Sequence, residues 1–249
     1  MLILAGLGLR DERDLTLRGI EAAKAADKVY IELYTGKWRG TEKLKNIIGK
    51  TPVELKREEL EQDADKIVDE AKEKDVIVLV PGDPLVATTH LALIEAAKKS
   101  GVKTKIIHNS SIVSAIAETG MHIYKFGATA TVPFPDKTKG KLPESVYEVL
   151  KLNRAAGLHT LLLLDITPEN CMTPNEAIRI LLEMEKKRKE NIFTSDTAIV
   201  VFCRAGSDDS QIAYGKVSEL AGKDFGEPPM AMVVPGMLHF TEKEYLEKI

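Results

Sequence analysis

The residues best suited to chemistry in this 249-residue chain are few, and most stand where an apolar run stops. Val76-Ile77-Val78-Leu79-Val80 ends at once in Pro81-Gly82-Asp83-Pro84. The run, mostly β-branched, reads as a strand buried on both faces. The prolines and glycine read as a rigid turn. In an open α/β sheet, small ligands bind beyond the carboxyl ends of strands. A carboxylate held there, Asp83, can accept ribose hydroxyls or attract a positive ligand. The plainer alternative has Asp83 cap the following helix. Ser110-Ser111-Ile112 follows the next strand and reads either as a helix cap or as a second wall of the same pocket.

The second half repeats the pattern. Thr160 to Leu164 runs into Asp165, and Thr197 to Cys203 into Arg204-Ala205-Gly206-Ser207-Asp208. Met230 to Val234 runs into Gly236-Met237-Leu238-His239. Each strand end is weak evidence alone. Together they predict a cleft between two domains.

Other motifs carry weaker signals. Gly6-Leu7-Gly8 follows a strand and precedes a helix, but the third glycine of a dinucleotide fingerprint falls on Asp11. Glu32 stands where a ribose-binding acid belongs, and reads equally as an exposed strand end. The tight turn without a nucleotide is the better reading. His90, His108, His122 and His159 lack metal-ligand spacing and read as surface or core residues; His239 stands out only by its strand-end position. Cys171 and Cys203 sit in no CxxC or Cys/His pattern, so no metal site and a reduced, cytoplasmic protein are expected. Nucleophile-elbow, Walker A and HExxH motifs are absent from the sequence. A net charge of −3 with 29% charged residues argues against nucleic acid as the main partner. Apolar stretches are strand-length, so no membrane span is expected, and a strand at residues 2–5 leaves no secretory leader. The charge run Glu185 to Glu190 reads as the solvated end of a helix.

The elements that must position these residues alternate. Strands are predicted at 2–5, 29–33, 76–80 and 102–107, with helices at 16–26, 58–74, 88–99 and 112–118. That order implies a mostly parallel sheet with helices on both faces. The second half has strands near 127–132 and at 160–164, 197–203, 211–216 and 230–234. Its helices fall at 143–156, 174–190 and from about 241. Strands in closer succession fit a mixed sheet. The expectation is two α/β domains, 1–111 and 112–249, with a cofactor cleft between them.

Several of these segments together carry a resemblance. They are Ala5-Gly6-Leu7-Gly8, Leu15-Thr16-Leu17-Arg18-Gly19, Lys28-Val29-Tyr30-Ile31-Glu32 and Pro81-Gly82-Asp83-Pro84. The chain resembles the tetrapyrrole-methylase-like (class III) S-adenosylmethionine methyltransferases. Leu33-Tyr34-Thr35, Ala87-Thr88-Thr89-His90, His108-Asn109-Ser110-Ser111, Leu163-Leu164-Asp165-Ile166, Arg204-Ala205-Gly206-Ser207 and Leu238-His239 draw it closer to one branch, which forms diphthine. The resemblance implies a homodimer that methylates the amino group of a 3-amino-3-carboxypropyl-histidine on translation elongation factor 2. It implies S-adenosylmethionine contacts at Leu9, Asp83, Val86, Ser111, Ile112, Leu163, Ala205 and His239. No residue is singled out as a dedicated catalyst, with Tyr34, Asp165 and His239 as possible helpers. A tetrapyrrole methyltransferase and a non-catalytic nucleotide-binding module are the alternatives. The first is weakened because Gly8 is followed by Leu9-Arg10 where tetrapyrrole enzymes carry GxGPGD.

Overall fold

All five residues of β4 (Val76–Val80) are buried, and their side chains divide between two apolar layers. Alternate residues of a strand face opposite sides. Val76, Val78 and Val80 pack with Leu2, Leu4, Ile67, Val68, Leu93 and Ala97. Ile77 and Leu79 pack with Ile3, Ala5, Ala23, Leu44 and Ile48. Each such side chain contributes roughly 1.5–3 kcal/mol on burial, so both faces hold the strand in place.

This computed structural model describes residues 1–167 and 169–249, the side chain of Glu61 excepted. The chain divides into two compact units, Met1–Val113 and Ser114–Ile249. In the first, β4 is joined by β1 (Leu2–Gly6), β2 (Lys28–Glu32), β3 (Val53–Leu55) and β5 (Thr104–Ile107) in the order β3-β2-β4-β1-β5. Every pairing is parallel. Helices α1 (Leu17–Ala25) and α2 (Thr41–Ile48) cover one face. Helices α4 (Ala64–Glu73) and α5 (Leu91–Lys99) cover the other, with α3 (Arg57–Glu61) beside them. Covering both faces is what an all-parallel sheet requires.

Two features differ from the expectation. The helix predicted over 58–74 is two helices, α3 and α4, broken at Gln62–Asp63. Residues 34–57, given no element from sequence, hold α2 and β3. The N-cap residue of α2, Gly40, offers no side-chain cap, and only Leu44 and Ile48 of the helix are buried. Its sequence signal is correspondingly faint.

Short helix α6 (Ile112–Ala115) is followed by a 3-10 turn at Ile116–Thr119, in place of the single helix expected over 112–118. The second unit is built on β6 (Ala130–Val132), β7 (Thr160–Leu164), β8 (Ala198–Cys203), β9 (Gln211–Lys216) and β10 (Met230–Val234). Their order is β6-β7-β10-β8-β9, with β6 and β7 parallel and the other pairs antiparallel. Helices α7 (Glu144–Ala155), α8 (Pro174–Arg188), α9 (Val217–Leu220) and α10 (Phe240–Leu246) complete it. Pro174 and a Thr173–Glu176 capping box start α8.

The end of α8 is more than a solvated charge run. The Glu185 carboxylate accepts from the amides of Asn191, Ile192 and Phe193 at 2.7–2.9 Å and from the Tyr147 hydroxyl at 2.7 Å. It ties the following loop to α7. Sequence spacing could not show this, because the donors are backbone groups placed by the turn.

Candidate functional site

In the first unit, the loops leaving β1, β4 and β5 are locked together. The Gly8 amide donates to the Gly82 carbonyl at 3.2 Å, and the Gly82 amide to Gly8 at 2.8 Å. Asn109 Nδ2 reaches the carbonyls of Gly6 and Asp14, each at 3.0 Å. A Cβ on Gly6 would collide with the Gly82 carbonyl and Asn109 Cβ. Gly8 has φ +80°, the left-handed region that favours glycine. Both glycines are therefore explained by loop packing.

Asp83 lies buried at the centre of this junction. Its Oδ1 accepts from the Leu85 amide at 3.0 Å. Its Oδ2 accepts from His108 Nδ1 at 2.8 Å and the Asn109 amide at 3.2 Å. Helix α5 begins only at Leu91, so the capping alternative for Asp83 fails. A carboxylate offers about four lone-pair sites, and these donors leave Oδ1 with one to spare. His108, read from sequence as a bland residue, is a partner of this acid. Its Nδ1 is occupied, while the side chain remains 69% exposed.

Beneath the loop is a second polar cluster. Glu32 is fully buried, neither a strand-end surface acid nor one presented to a ligand. Its carboxyl accepts from the amides of Tyr34 and Thr35, both at 3.1 Å, and from the Thr35 hydroxyl. Burial pushes it up to about 7, against the opposing pull of the Thr35 and Tyr34 hydrogen bonds and Arg57. His90, also buried, places Nδ1 3.1 Å from the Pro84 carbonyl and Nε2 3.4 Å from the Tyr34 hydroxyl. A carbonyl only accepts, so Nδ1 carries the proton. Thr88 Oγ1 donates to the same carbonyl at 2.9 Å.

In the second unit, Asp165 at the end of β7 accepts from Lys137 Nζ at 2.6 Å and from the Phe134 amide at 2.9 Å. Arg204 spends its guanidinium on the carbonyls of Asp209, Phe225 and Glu227. Strand polarity divides the residues after these strands between two edges of the sheet. Both β7 and β8 run antiparallel to β10, so Asp165 and Ala205 lie at one edge and the residues after β10 at the other. His239 is at that other edge. The β10 residues beside Leu163 and Cys203 are Ala231 and Met230, by register. Sequence order along a strand looks the same whichever way the strand points, so only the pairing reveals this.

His239 has a structural task at this edge. It occupies the N-cap position of α10, with Nδ1 2.8 Å from Thr241 Oγ1. Nearby Glu242, fully buried, accepts from the amides of His122 (2.7 Å) and His239 (2.6 Å), from Lys125 Nζ (2.6 Å) and from His159 Nε2 (3.1 Å). Burial pushes its carboxyl up, but the Lys125 ammonium and the other donors win and hold it at about 2. Among the described residues, no group of three or more His, Cys, Asp or Glu side chains gathers in a metal-binding arrangement.

Residues 1–221 match the family model of the tetrapyrrole (corrin/porphyrin) methylases. The chain belongs to that methylase family. Diphthine synthase of Methanocaldococcus jannaschii is 46% identical over 253 residues, covering 99% of this chain and 98% of the relative. Diphthine synthase of Methanococcus aeolicus is 46% identical over 251 residues, covering 99% and 97%. A crystal structure of diphthine synthase matches with a TM-score of 0.90 at 39% identity, covering 100% of this chain and 95% of that one. As a member of the methylase family, the chain is an S-adenosylmethionine-dependent methyltransferase.

The eight residues implied as cofactor contacts fall into three places in this methylase. Leu9, Asp83, Val86, Ser111 and Ile112 lie on the segments that follow β1, β4 and β5, at one edge of the parallel sheet. Leu163 and Ala205 lie towards the carboxyl ends of β7 and β8 in the mixed sheet, and His239 lies at its opposite edge. Neither Met230, paired with Cys203 by register, nor His108, in contact with Asp83, is singled out as a site residue from sequence. Their only signals were adjacency to a strand start and to a strand end.

Proposed function

We propose that this chain transfers methyl groups from S-adenosylmethionine to the amine of 3-amino-3-carboxypropyl-histidine on translation elongation factor 2. Three transfers convert the amine to trimethylammonium, giving diphthine. The observation that carries the reading is 46% identity to diphthine synthase over 99% of this chain and 98% of the relative. The first loop supports it against a tetrapyrrole substrate, since Leu9-Arg10 follow Gly8 where GxGPGD is usual. The reading carries with it a cytoplasmic homodimer. A net charge of −3 favours a protein substrate over nucleic acid. Among the described residues, no helix is long and apolar enough to cross a membrane.

The residues present fit the cofactor. Asp83 is rigidly held and keeps one acceptor site on Oδ1, which suits a ribose hydroxyl. Buried Ser111 and half-buried Val86 and Leu9 flank the same junction with small or apolar surface. Bound adenosylmethionine supplies an electrophilic sulfonium methyl. The protein's share is alignment, and holding amine and methyl in line contributes roughly 7–11 kcal/mol. In the second unit, Leu163, Ala205 and Met230 offer apolar and backbone contact.

The test mixes the protein with labelled adenosylmethionine and elongation factor 2 that already carries the aminocarboxypropyl group. Label on the factor supports the reading; label entering a tetrapyrrole, with none on the factor, overturns it. In parallel, Asp83→Ala is expected to weaken adenosylmethionine binding about tenfold by calorimetry, the value of one charge-assisted hydrogen bond. Unchanged affinity removes Asp83 from the cofactor site.

A further inference from the structure

An amine of pKa about 8 or above is mostly ammonium at neutral pH and has no lone pair to methylate. Something must take its proton. The three helpers read from the sequence are all committed elsewhere. The Tyr34 hydroxyl faces buried His90. Asp165 is bound to Lys137 and the Phe134 amide. His239 stands at the head of α10 with Nδ1 accepting from the Thr241 amide, which uses its lone pair and leaves the proton on Nε2.

His108 is differently placed. Its Nδ1 lies 2.8 Å from Asp83 Oδ2 while its side chain is 69% exposed. A carboxylate only accepts, so Nδ1 carries the proton and Nε2 keeps its lone pair. Asp83 cannot turn away, because the Leu85 and Asn109 amides hold it. This is the arrangement in which an acid orients an imidazole so that the far nitrogen works as a base. Two neighbouring side chains are occupied. Asn109 reaches Gly6 and Asp14 carbonyls and the Ser110 amide, and Asp14 accepts from the Arg10 amide.

We propose that His108 is the general base of this methyltransferase, positioned by Asp83. The inference rests on the reading above, in which the acceptor is an amine. His108 Nε2 takes a proton from R–NH3+, leaving R–NH2 and an imidazolium. The freed nitrogen lone pair forms the N–C bond as the methyl C–S bond breaks, and that bond's electron pair stays on sulfur as a thioether. The imidazolium then passes its proton to water from its exposed face. Each later methylation needs the same removal of one proton from the ammonium just formed. One carboxylate thus serves both partners, with Oδ2 on the base and Oδ1 toward the cofactor.

The experiment compares wild type with His108→Gln in the full-length protein, using labelled adenosylmethionine and elongation factor 2 bearing the aminocarboxypropyl group. The variant is expected to lose about 10²-fold in kcat at pH 7, the lower range for general-base catalysis. Its adenosylmethionine affinity by calorimetry should stay within about twofold. The deficit should shrink above about pH 9, where free amine is plentiful. Independently of turnover, 15N spectra should show neutral His108 as the Nδ1–H tautomer, and a mixture of tautomers in Asp83→Asn. A wild-type rate and pH profile in His108→Gln overturns the proposal, as does an Nε2–H tautomer. An affinity loss beyond about fivefold also overturns it, making His108 a cofactor contact. No label on the factor with wild-type protein overturns the functional reading itself, whereas a labelled factor with an unaffected variant overturns only His108.

Discussion

Glu242→Gln should destabilise the second unit by an amount that depends on pH. The carboxylate is fully buried and accepts from four donors, one of them the Lys125 ammonium at 2.6 Å. Glutamine offers one acceptor oxygen and turns an NH2 toward the remaining donors, including either the ammonium or two N–H groups. The acid's value falls from 4.5 to about 2 on folding. At 1.36 kcal/mol per unit, that is about 3 kcal/mol of stability. Removing one member of a buried pair costs a similar ~3–5 kcal/mol. The value is lowered in the folded state, so the contribution is complete above the unfolded value and lost as pH falls toward 2. The difference between wild type and variant should be about 3 kcal/mol at pH 7 and roughly half that at pH 3. Urea denaturation at both pH values, read by hydrogen exchange of β7 and β10 amides, measures it within the second unit. An equal loss at pH 7 and pH 3 would refute the electrostatic argument, as would a loss below about 1 kcal/mol at pH 7.

Glu32→Gln should act in the opposite sense. Its folded value is raised to about 7, so the favourable contribution is present below about 4.5 and disappears as pH rises through 7. The variant should match wild type at pH 5 more closely than at pH 8, where it should be more stable by up to about 3 kcal/mol. Fluorescence of Trp38, the single tryptophan and buried in the first unit, reports that unfolding; a pH-independent difference would count against it. At the second sheet, His239→Ala should leave adenosylmethionine affinity within about twofold, while Met230→Glu should weaken it about tenfold or more, since an unpaired charge facing bound ligand costs at least ~1.4 kcal/mol. Calorimetry giving the reverse order would restore His239 and exclude Met230.

Much of the fold was legible because periodicity is local. The apolar run at Val76–Val80 could only be a strand covered on both faces, and Pro81 to Pro84 could only end it. Helices α1, α7 and α8 announced themselves by their local sequence pattern. Helix α2 and strand β3 were not legible, because α2 has no side-chain cap and buries just two residues. The break between α3 and α4 was hidden for a related reason: Gln62–Asp63 interrupts no apolar stripe.

The family, the class of reaction and the rigid loop that carries Asp83 are written in residue order and short motifs. Tertiary structure decided what surrounds that loop. Only the parallel arrangement of β4, β1 and β5 brings His108 onto Asp83 from 25 residues away. Only the antiparallel arrangement of β10 puts His239 at the edge opposite Ala205 and Met230 beside Cys203. Only packing buries Glu32 and Glu242, and their surroundings then push two chemically identical acids in opposite directions. Strand order, polarity and desolvation belong to the pairing of distant segments, and no local pattern encodes them.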